Sequence, residues 1–247
     1  MKGIVLAGGS GSRLSPLTDV LSKHLLPIYN KPMIYYPISV LQKSGIREIL
    51  IISTQDHIEM YRDLLNSENF QDVDFSYCIQ ENPNGLPEAF ILGKDFIGSD
   101  DVALILGDNL FIGDEVSFEI NKISDFTGGV IFGKKVEDPE RFGVAFLDEM
   151  GGLKRIEEKP KNPESNIAVV GLYVYDSSVV NRSQKLTPSE RGELEISDLN
   201  NDYLKDGELR LIQLGDSTEW LDTGTFDSLL DAGIMVRRKV HEGHFRI

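Results

Sequence analysis

The sequence predicts an α/β protein: a Rossmann-like, mostly parallel sheet flanked by helices, with mixed or antiparallel strand additions in the second half. Three observations carry this. Over about the first hundred residues, short apolar runs alternate with segments of helical spacing, the pattern of right-handed strand–helix–strand crossovers. After about residue 128 the alternation gives way to strands joined by turns. The first apolar run empties directly into a glycine-rich stretch, "LAGGSGSRLSPLT", and parallel sheets bind ligands outside the C-terminal ends of their strands.

The elements follow in order. "GIVLA" (3–7) is a short apolar strand ending in glycines. "PMIYYPISVLQKSG" (32–45) reads as a helix with Gly45 as its C-terminal stop. "EILIIST" (48–54) is β-branched and continuous, as in a strand buried on both faces. "HIEMYRDLL" (57–65) has helical spacing, and "VDFSYCIQ" (73–80) reads as a strand. "LPEAFILGKDFI" (86–97) reads as one helix with Pro87 in its first turn, where proline is tolerated. "VALILGDN" (102–109) is a further buried strand, with Asp108 at its C-terminal end.

In the second half, "GGVIFGKKV", "GVAFLDEMGGLKRIEEKP" and "NIAVVGLYVYD" read as strands, with "EMGG" (149–152) as a hairpin connection. "ELEISDLNNDYLKDG" (193–207) and "TFDSLLDAGIMVRRKV" (225–240) read as helices around the strand "ELRLIQL" (208–214). Gly207 and Thr225 stand where a C-terminal stop and an N-cap belong. No linker separates the halves, and there is no internal repeat.

A net charge of −15 argues against nucleic acid or an anionic membrane as a partner, because both reward a basic surface. It leaves room for small anions held by local cations, backbone N–H groups or a metal. No apolar stretch approaches the about 20 residues of a membrane helix, and the N-terminus lacks a signal-peptide pattern. The single cysteine, Cys78, permits no intrachain disulfide and reads as a small buried hydrophobe in its strand. A cytoplasmic protein is the expectation. The four histidines, His24, His57, His241 and His244, show no triad-like or zinc-site context; His241 and His244 read as a tail feature.

The glycine stretch is not a P-loop, since no lysine follows Gly11 directly. It is also a poor dinucleotide fingerprint, because Leu14 occupies the place of the third glycine and denies the close helix–strand packing. What survives is a glycine-rich turn that lets N–H groups approach a phosphate chain. Arg13 adds a planar fork and Lys23 a point charge. The plain alternative is a tight surface turn with solvated basic residues.

Longer motifs decide between these. "LAGGSGSRLSPLT" with "SKHLLPIYNKPMIYYPI", then "ILGDN", "DPERFGVAFLDE", "IEEKPKNPESNIAVVGLYVYD", "SERGELEISDLN" and "WLDTGTFDSLLDA" resemble, in order and over nearly the whole chain, the sugar-1-phosphate nucleotidylyltransferases. The resemblance is strongest to their glucose-1-phosphate thymidylyltransferase branch. It implies the nucleotide-diphospho-sugar transferase fold as a single domain over 1–247, with a nucleotide-binding part (1–128) and a sugar-phosphate-binding part (129–247). It also implies Mg²⁺-assisted in-line attack of glucose-1-phosphate on the α-phosphorus of dTTP, giving dTDP-glucose and pyrophosphate.

The resemblance assigns residues. Arg13, Lys23 and Lys159 match the catalytic cations: Arg13 and Lys23 hold the triphosphate and leaving pyrophosphate, and Lys159, with Arg191 nearby, holds the sugar phosphate. Gly8, Gly9 and Gly11 match the glycine-loop contacts to the nucleotide, and Asp108 belongs to the nucleotide site too. Gln80 and Gly85 match the pair that reads the base edge. Glu158 matches the acceptor of sugar hydroxyls, with Leu86, Asn109, Gly143 and Tyr173 around the sugar. Asp108 and Asp222 match the two metal-binding aspartates. The implied partners are small molecules and further copies of the chain.

The pattern departs at Ser12, at Pro87 and Glu88 in "GLPEAF", and at Val170 in "VVGLY". These leave the phosphate and metal parts intact and keep two alternatives open. One is the same chemistry with UTP or another sugar-1-phosphate. The other is a catalytically silent nucleotide-sensing subunit. The long members also continue several dozen residues past "VRRKV", so feedback through a second nucleotide site is expected to be weak or absent.

Overall fold

The computed structural model describes residues 1–9, 11–66, 70–123 and 126–243. The chain forms two compact units, each assembled from three stretches. One comprises Gly3–Asn82, Ile105–Lys122 and Asp216–Ile247; the other comprises Met1–Lys2, Pro83–Leu104 and Ile123–Gly215. The first is called the glycine-loop unit here and the second the antiparallel unit.

The glycine-loop unit is built on three parallel strands: β1 (Lys2–Leu6), β4 (Glu48–Ser53) and β5 (Asp74–Ile79). Their registers align Ile4 with Leu50 and Ile51 with Tyr77. Helices α1 (Tyr35–Lys43) and α2 (Ile58–Leu65) make the crossovers. Ile4, Val5, Ile49 and Ile51 are completely buried, which is why "GIVLA" and "EILIIST" read as continuous apolar runs. A small hairpin, β2 (Pro27–Ile28) with β3 (Lys31–Pro32), follows the glycine loop. Later in the chain β7 (Asn109–Ile112) pairs antiparallel with β13 (Glu219–Asp222). Helix α5 (Glu115–Asn121) and the long α8 (Phe226–His241) complete the unit. A core of Ile28, Met33, Tyr36, Leu110, Ile112, Ala232 and Val236 holds the hairpin, α1, β7 and α8 together.

The antiparallel unit carries α3 (Glu88–Leu92) and α4 (Lys94–Ile97), then strands β6 (Val102–Leu106), β8 (Gly129–Lys135), β9 (Gly143–Leu147), β10 (Leu153–Glu158) and β11 (Ile167–Tyr175). It ends with α6 (Val179–Ser183), α7 (Ile196–Lys205) and β12 (Leu209–Gln213). Strand β11 is buried along its whole length. It pairs antiparallel with both β8 and β9, while β9 pairs with β10 and β12 runs parallel to β8. The hairpin at "EMGG" joins β9 to β10 as expected. Strand β6 divides between the units after Leu104.

Several readings change. The helix over 86–97 is two short helices broken at Gly93, a residue that costs about 1 kcal/mol in a helix interior. The strand over 102–109 ends at Leu106; the chain turns at Gly107 and Asp108 and starts β7 at Asn109. The helix read from 193 starts at Ile196, because Leu194 donates its N–H to the Asn84 carbonyl (2.7 Å) and is held extended. Cys78 lies in its strand but is only partly buried; β5 pairs with β4 alone among the described residues, and none of its residues is fully covered. His241 closes α8, while His244 and Ser10 lie outside the described residues. Among the described residues no helix is long and apolar enough to cross a membrane.

Gly45 and Gly207 follow their helices at φ 80° and 74°, and Thr225 caps α8. Its Oγ1 accepts from the Ser228 N–H (3.2 Å) while Ser228 Oγ accepts from the Thr225 N–H (3.0 Å). Thr225→Ala removes this reciprocal cap and is expected to lower stability by about 1 kcal/mol, read from urea unfolding; an unchanged midpoint would show that packing alone fixes the helix start.

Candidate functional site

In the glycine-loop unit the chain leaves β1 and runs through Gly8, Gly9 and Gly11. Side chains crowd the loop most closely at Gly8, while a Cβ on Gly9 would make only ordinary contact. A Cβ on Gly8 would lie 2.7 Å from Gln80 Oε1, and one on Gly9 would lie 3.7 Å from Lys23 Cε. Gly11 adopts the left-handed region at φ 64°, and Thr18 Oγ1 donates to its carbonyl at 2.8 Å. Gln80 itself is buried, its N–H donating to the Ser53 carbonyl. Arg13 follows in a 3₁₀ turn, Ser12–Leu14, with its side chain reaching Gly224: a Cβ there would sit 2.6 Å from Arg13 Nη2 and 3.2 Å from Asp222 Oδ1.

Lys23 pairs with Asp108, and both side chains are nearly inaccessible, at 10% and 14% exposure. Burial, the largest single influence, opposes the Asp108 charge, but the Lys23 ammonium, the neighbouring His24 and hydrogen bonds from Lys23 and Asn109 together outweigh it and hold the carboxyl at about 2. Asn109 Nδ2 donates to Asp108 Oδ1 (3.0 Å), and Trp220 Nε1 donates to Asn109 Oδ1 (2.7 Å). Thr223 donates both its N–H and its hydroxyl to the Asp108 carbonyl (3.2 and 2.9 Å). The β7–β13 register sets Asp222 opposite Asn109. Two aspartates far apart in sequence are thereby brought near each other, Asp108 in the turn one residue before β7 and Asp222 at the end of β13. This donor chemistry, carboxylate oxygens only, suits a hard divalent cation whose remaining ligands are water and phosphate oxygens. No cluster of three or more potential metal ligands occurs among the described residues.

The antiparallel unit holds the other group. Glu158 ends β10 directly opposite Gly143 on β9. A Cβ on Gly143 would lie 3.1 Å from Ser197 Oγ and 3.4 Å from Glu158 Oε2. Ser197 Oγ donates to Glu158 Oε2 at 2.7 Å, while Lys159 Nζ and Arg191 Nη1 stand 3.8 and 4.0 Å from Glu158 Oε1. Arg191 also pairs with Glu193 and Glu195. Lys159 takes φ 44°, and its N–H donates to the Phe142 carbonyl. A left-handed residue other than glycine costs about 1–2 kcal/mol. Tyr173 is buried on β11, where desolvation and the Glu158 charge push its phenol up.

Gly85 (φ 107°) bridges to Leu194 so closely that a Cβ would lie 2.1 Å from the Leu194 carbonyl oxygen. Leu86 is partly buried, Pro87 fully so, and Glu88 accepts from Asn84 Nδ2 at 2.7 Å. Val170 is completely buried on β11. The sequence-derived residues thus fall into two groups. Gly8, Gly9, Gly11, Arg13, Lys23, Gln80, Asp108, Asn109 and Asp222 belong to the glycine-loop unit; Gly85, Leu86, Gly143, Glu158, Lys159, Tyr173 and Arg191 belong to the antiparallel unit.

Ser197, Thr223 and Trp220 escaped the sequence reading, and so did the support beneath Asp108. His24 is buried beside Lys23, its ring against Gly107, where a Cβ would meet Cδ2 at 2.7 Å. His24 Nδ1 faces Ser22 Oγ (3.2 Å) and Tyr61 Oη (3.3 Å). Burial, then the Lys23 charge, lower its pKa to about 3, so the imidazole is neutral. The signal was a histidine inside the apolar "KHLLP", read for zinc or triad chemistry rather than as a spacer under the Gly107–Asp108 turn.

Unfolded, His24 protonates near about 6.5; folded, it resists protonation down to about 3. The unfolded chain binds more protons between these values, so stability present above the unfolded pKa is lost as pH falls through the window. His24→Gln is expected to lose stability less steeply than wild type from about pH 6.5 to 4, measured by urea unfolding; parallel pH curves would mean that His24 is already protonated in the fold.

Residues 2–239 match the family described as Nucleotidyl transferase. The chain is 49% identical, over 96% of its length and 83% of the relative's, to the glucose-1-phosphate thymidylyltransferase of Neisseria meningitidis serogroup A / serotype 4A. It is 48% identical to that of Mycolicibacterium smegmatis, over 96% of this chain and 82% of that one. A Bacillus anthracis structure assigned as a glucose-1-phosphate thymidylyltransferase, solved with a sucrose, superposes with a TM-score of 0.88 at 43% identity, covering 96% and 95% of the two chains. A UDP-glucose pyrophosphorylase complexed with UDP-glucose shares the fold at a TM-score of 0.84 and 24% identity, over 96% and 98%. With a buried lysine–aspartate pair beside a glycine turn and this breadth of identity, the chain belongs to the nucleotidyl transferase family, in its glucose-1-phosphate thymidylyltransferase branch.

Proposed function

We propose that this chain joins dTTP and glucose-1-phosphate into dTDP-glucose and pyrophosphate. The observation that carries the reading is the Lys23–Asp108 pair with Asp222 on the adjoining strand, in a chain 49% identical to a glucose-1-phosphate thymidylyltransferase. An oxygen of the sugar phosphate attacks the α-phosphorus, and the bond from that phosphorus to the bridging oxygen breaks, sending its electron pair to pyrophosphate. A phosphate monoester with a second pKa near about 6 is mostly dianionic at neutral pH, so no base has to remove a proton. A neutral, buried His24 is consistent with this. The protein's task is positioning and neutralising charge.

In this reading the N–H groups of Gly8, Gly9 and Gly11 cradle the triphosphate, and Arg13 and Lys23 stabilise charge building on the pyrophosphate. Gln80 and Gly85 read the base edge. Lys159 and Arg191 hold the sugar phosphate, and Glu158 accepts sugar hydroxyls, with Leu86, Asn109, Gly143 and Tyr173 shaping the sugar pocket. Asp108 and Asp222 hold magnesium, which when bound supplies neutralisation of phosphate charge. A triphosphate offers Lys23 a second anion, which frees Asp108 oxygens for the cation. The cytoplasm, the source of nucleoside triphosphates, is the proposed compartment.

Pyrophosphate release with Mg²⁺ and glucose-1-phosphate is expected to be fastest with dTTP and weaker with UTP, CTP, GTP or ATP. Release led by another triphosphate would reassign the base, and none with any of them would overturn the reading. Lys159→Ala is expected to raise the KM for glucose-1-phosphate by about tenfold or more, the loss of one charge-assisted contact. An unchanged KM would remove Lys159 from the sugar-phosphate site.

A further inference from the structure

Strand β10 carries Glu158 at its end, yet little within the strand fixes where that end lies. Among the described residues β10 pairs with β9 alone, at the edge of the sheet. Its register shifts between Leu153 and Arg155, and Ile156 is its one buried residue. Two glutamates follow in succession, Glu157 and Glu158. A slip of one residue would bring Glu157 opposite Gly143 and turn Glu158 to the other face. A strand that buries so little apolar surface specifies its own register weakly.

Helix α7 supplies what the strand lacks. Asn201 Oδ1 accepts from the Ile156 N–H (3.1 Å), and Asn201 Nδ2 donates to the Ile156 carbonyl (2.8 Å). One side-chain amide thus takes both main-chain groups of a single residue, as a neighbouring strand would, on an edge that otherwise leaves such groups open. One turn earlier, Ser197 Oγ donates to Glu158 Oε2 (2.7 Å). Asn201 and Ser197 are four apart and share a helix face; Ile156 and Glu158 are two apart and share a strand face. The helix therefore grips the strand at two points. The Ser197 bond alone holds a carboxylate that a rotamer change could carry away, whereas the Asn201 pair fixes the backbone beneath it. Arg155 and Glu157 pair with each other at 2.6 Å, on the alternate strand positions. Asn201 lies one residue beyond the motif "SERGELEISDLN". We propose that Asn201 is a positioning residue for sugar-phosphate recognition, pinning β10 so that Glu158 and not Glu157 meets Gly143 and Ser197. The proposal rests on the reading of Glu158 as the acceptor of sugar hydroxyls.

Asn201→Leu removes both hydrogen bonds without adding charge. Steady-state pyrophosphate release by the full chain, with each substrate varied in turn, tests the proposal. Asn201→Leu is expected to raise the KM for glucose-1-phosphate about tenfold and to change the KM for dTTP by less than about twofold. In a Glu158→Gln background the same substitution should raise the glucose-1-phosphate KM by less than about threefold, because a residue that acts through Glu158 then has little to act through. A loss of stability alone would lower the amount of active enzyme and leave both KM values in place. An unchanged glucose-1-phosphate KM, equal rises for both substrates, or the full effect on top of Glu158→Gln would overturn the proposal. Should circular dichroism show Asn201→Leu unfolded, Asn201→Ser, neutral and too short to reach both groups, takes its place with the same outcomes. A wild type that releases no pyrophosphate from dTTP and glucose-1-phosphate would overturn the reading of function, and this proposal with it. A wild type that does so, beside a variant of unchanged KM, would overturn the proposal alone.

Discussion

The ion pair between Lys23 and Asp108 is the contact on which the glycine-loop unit turns. Taking either charge from water alone costs several kcal/mol, so the burial of each side chain, with 10% and 14% left exposed, is offset by the other. The pair fixes where two distant stretches meet: the segment after the glycine loop and the turn after β6. Other groups then lock the pair itself. Asn109 and Trp220 orient the carboxylate, Thr223 holds the Asp108 carbonyl, and neutral His24 fills the space under Gly107. An aspartate held ionised against its own burial is a prepared anion, and the lysine facing it is a prepared cation.

Around that pair the glycines serve close approach more than flexibility. Gly8 gives way to Gln80, Gly107 to His24 and Gly224 to Arg13. In each case a missing Cβ lets a polar side chain lie directly on the main chain. The antiparallel unit repeats the device, with Gly143 under the Ser197–Glu158 hydrogen bond and Gly85 against Leu194. Its strain sits at Lys159, which takes a left-handed conformation one residue after Glu158. Such strain persists where the surroundings fix the backbone, here through the Phe142 carbonyl and the β9–β10 ladder.

Much of this was legible in the chain. The parallel strands announce themselves because burial on both faces demands unbroken β-branched and aliphatic runs. Thr225, Gly45 and Gly207 announce helix ends because their chemistry acts within one turn. The cations and carboxylates were legible through long motifs in register. The misreadings share one cause. Gly93 breaks a helix that periodicity would continue, Asn109 starts a new strand where the apolar run would extend the old one, and Cys78 is only partly buried on a strand with one neighbour among the described residues. Each depends on what lies beside the segment, which local pattern does not contain.

The sequence by itself determined the α/β class, the order of most strands and helices, and the residue types able to handle phosphate and a hard cation, because periodicity, capping and charge are local properties. Only the tertiary structure decided that Asp222 stands across from Asn109 and next to Asp108, that His24 is a neutral prop, and that Glu158 is shared between Ser197 and two cations. Those facts follow from strand pairing and burial between residues remote in the chain, where the favourable energy comes from excluding water around a contact that no short window of sequence includes.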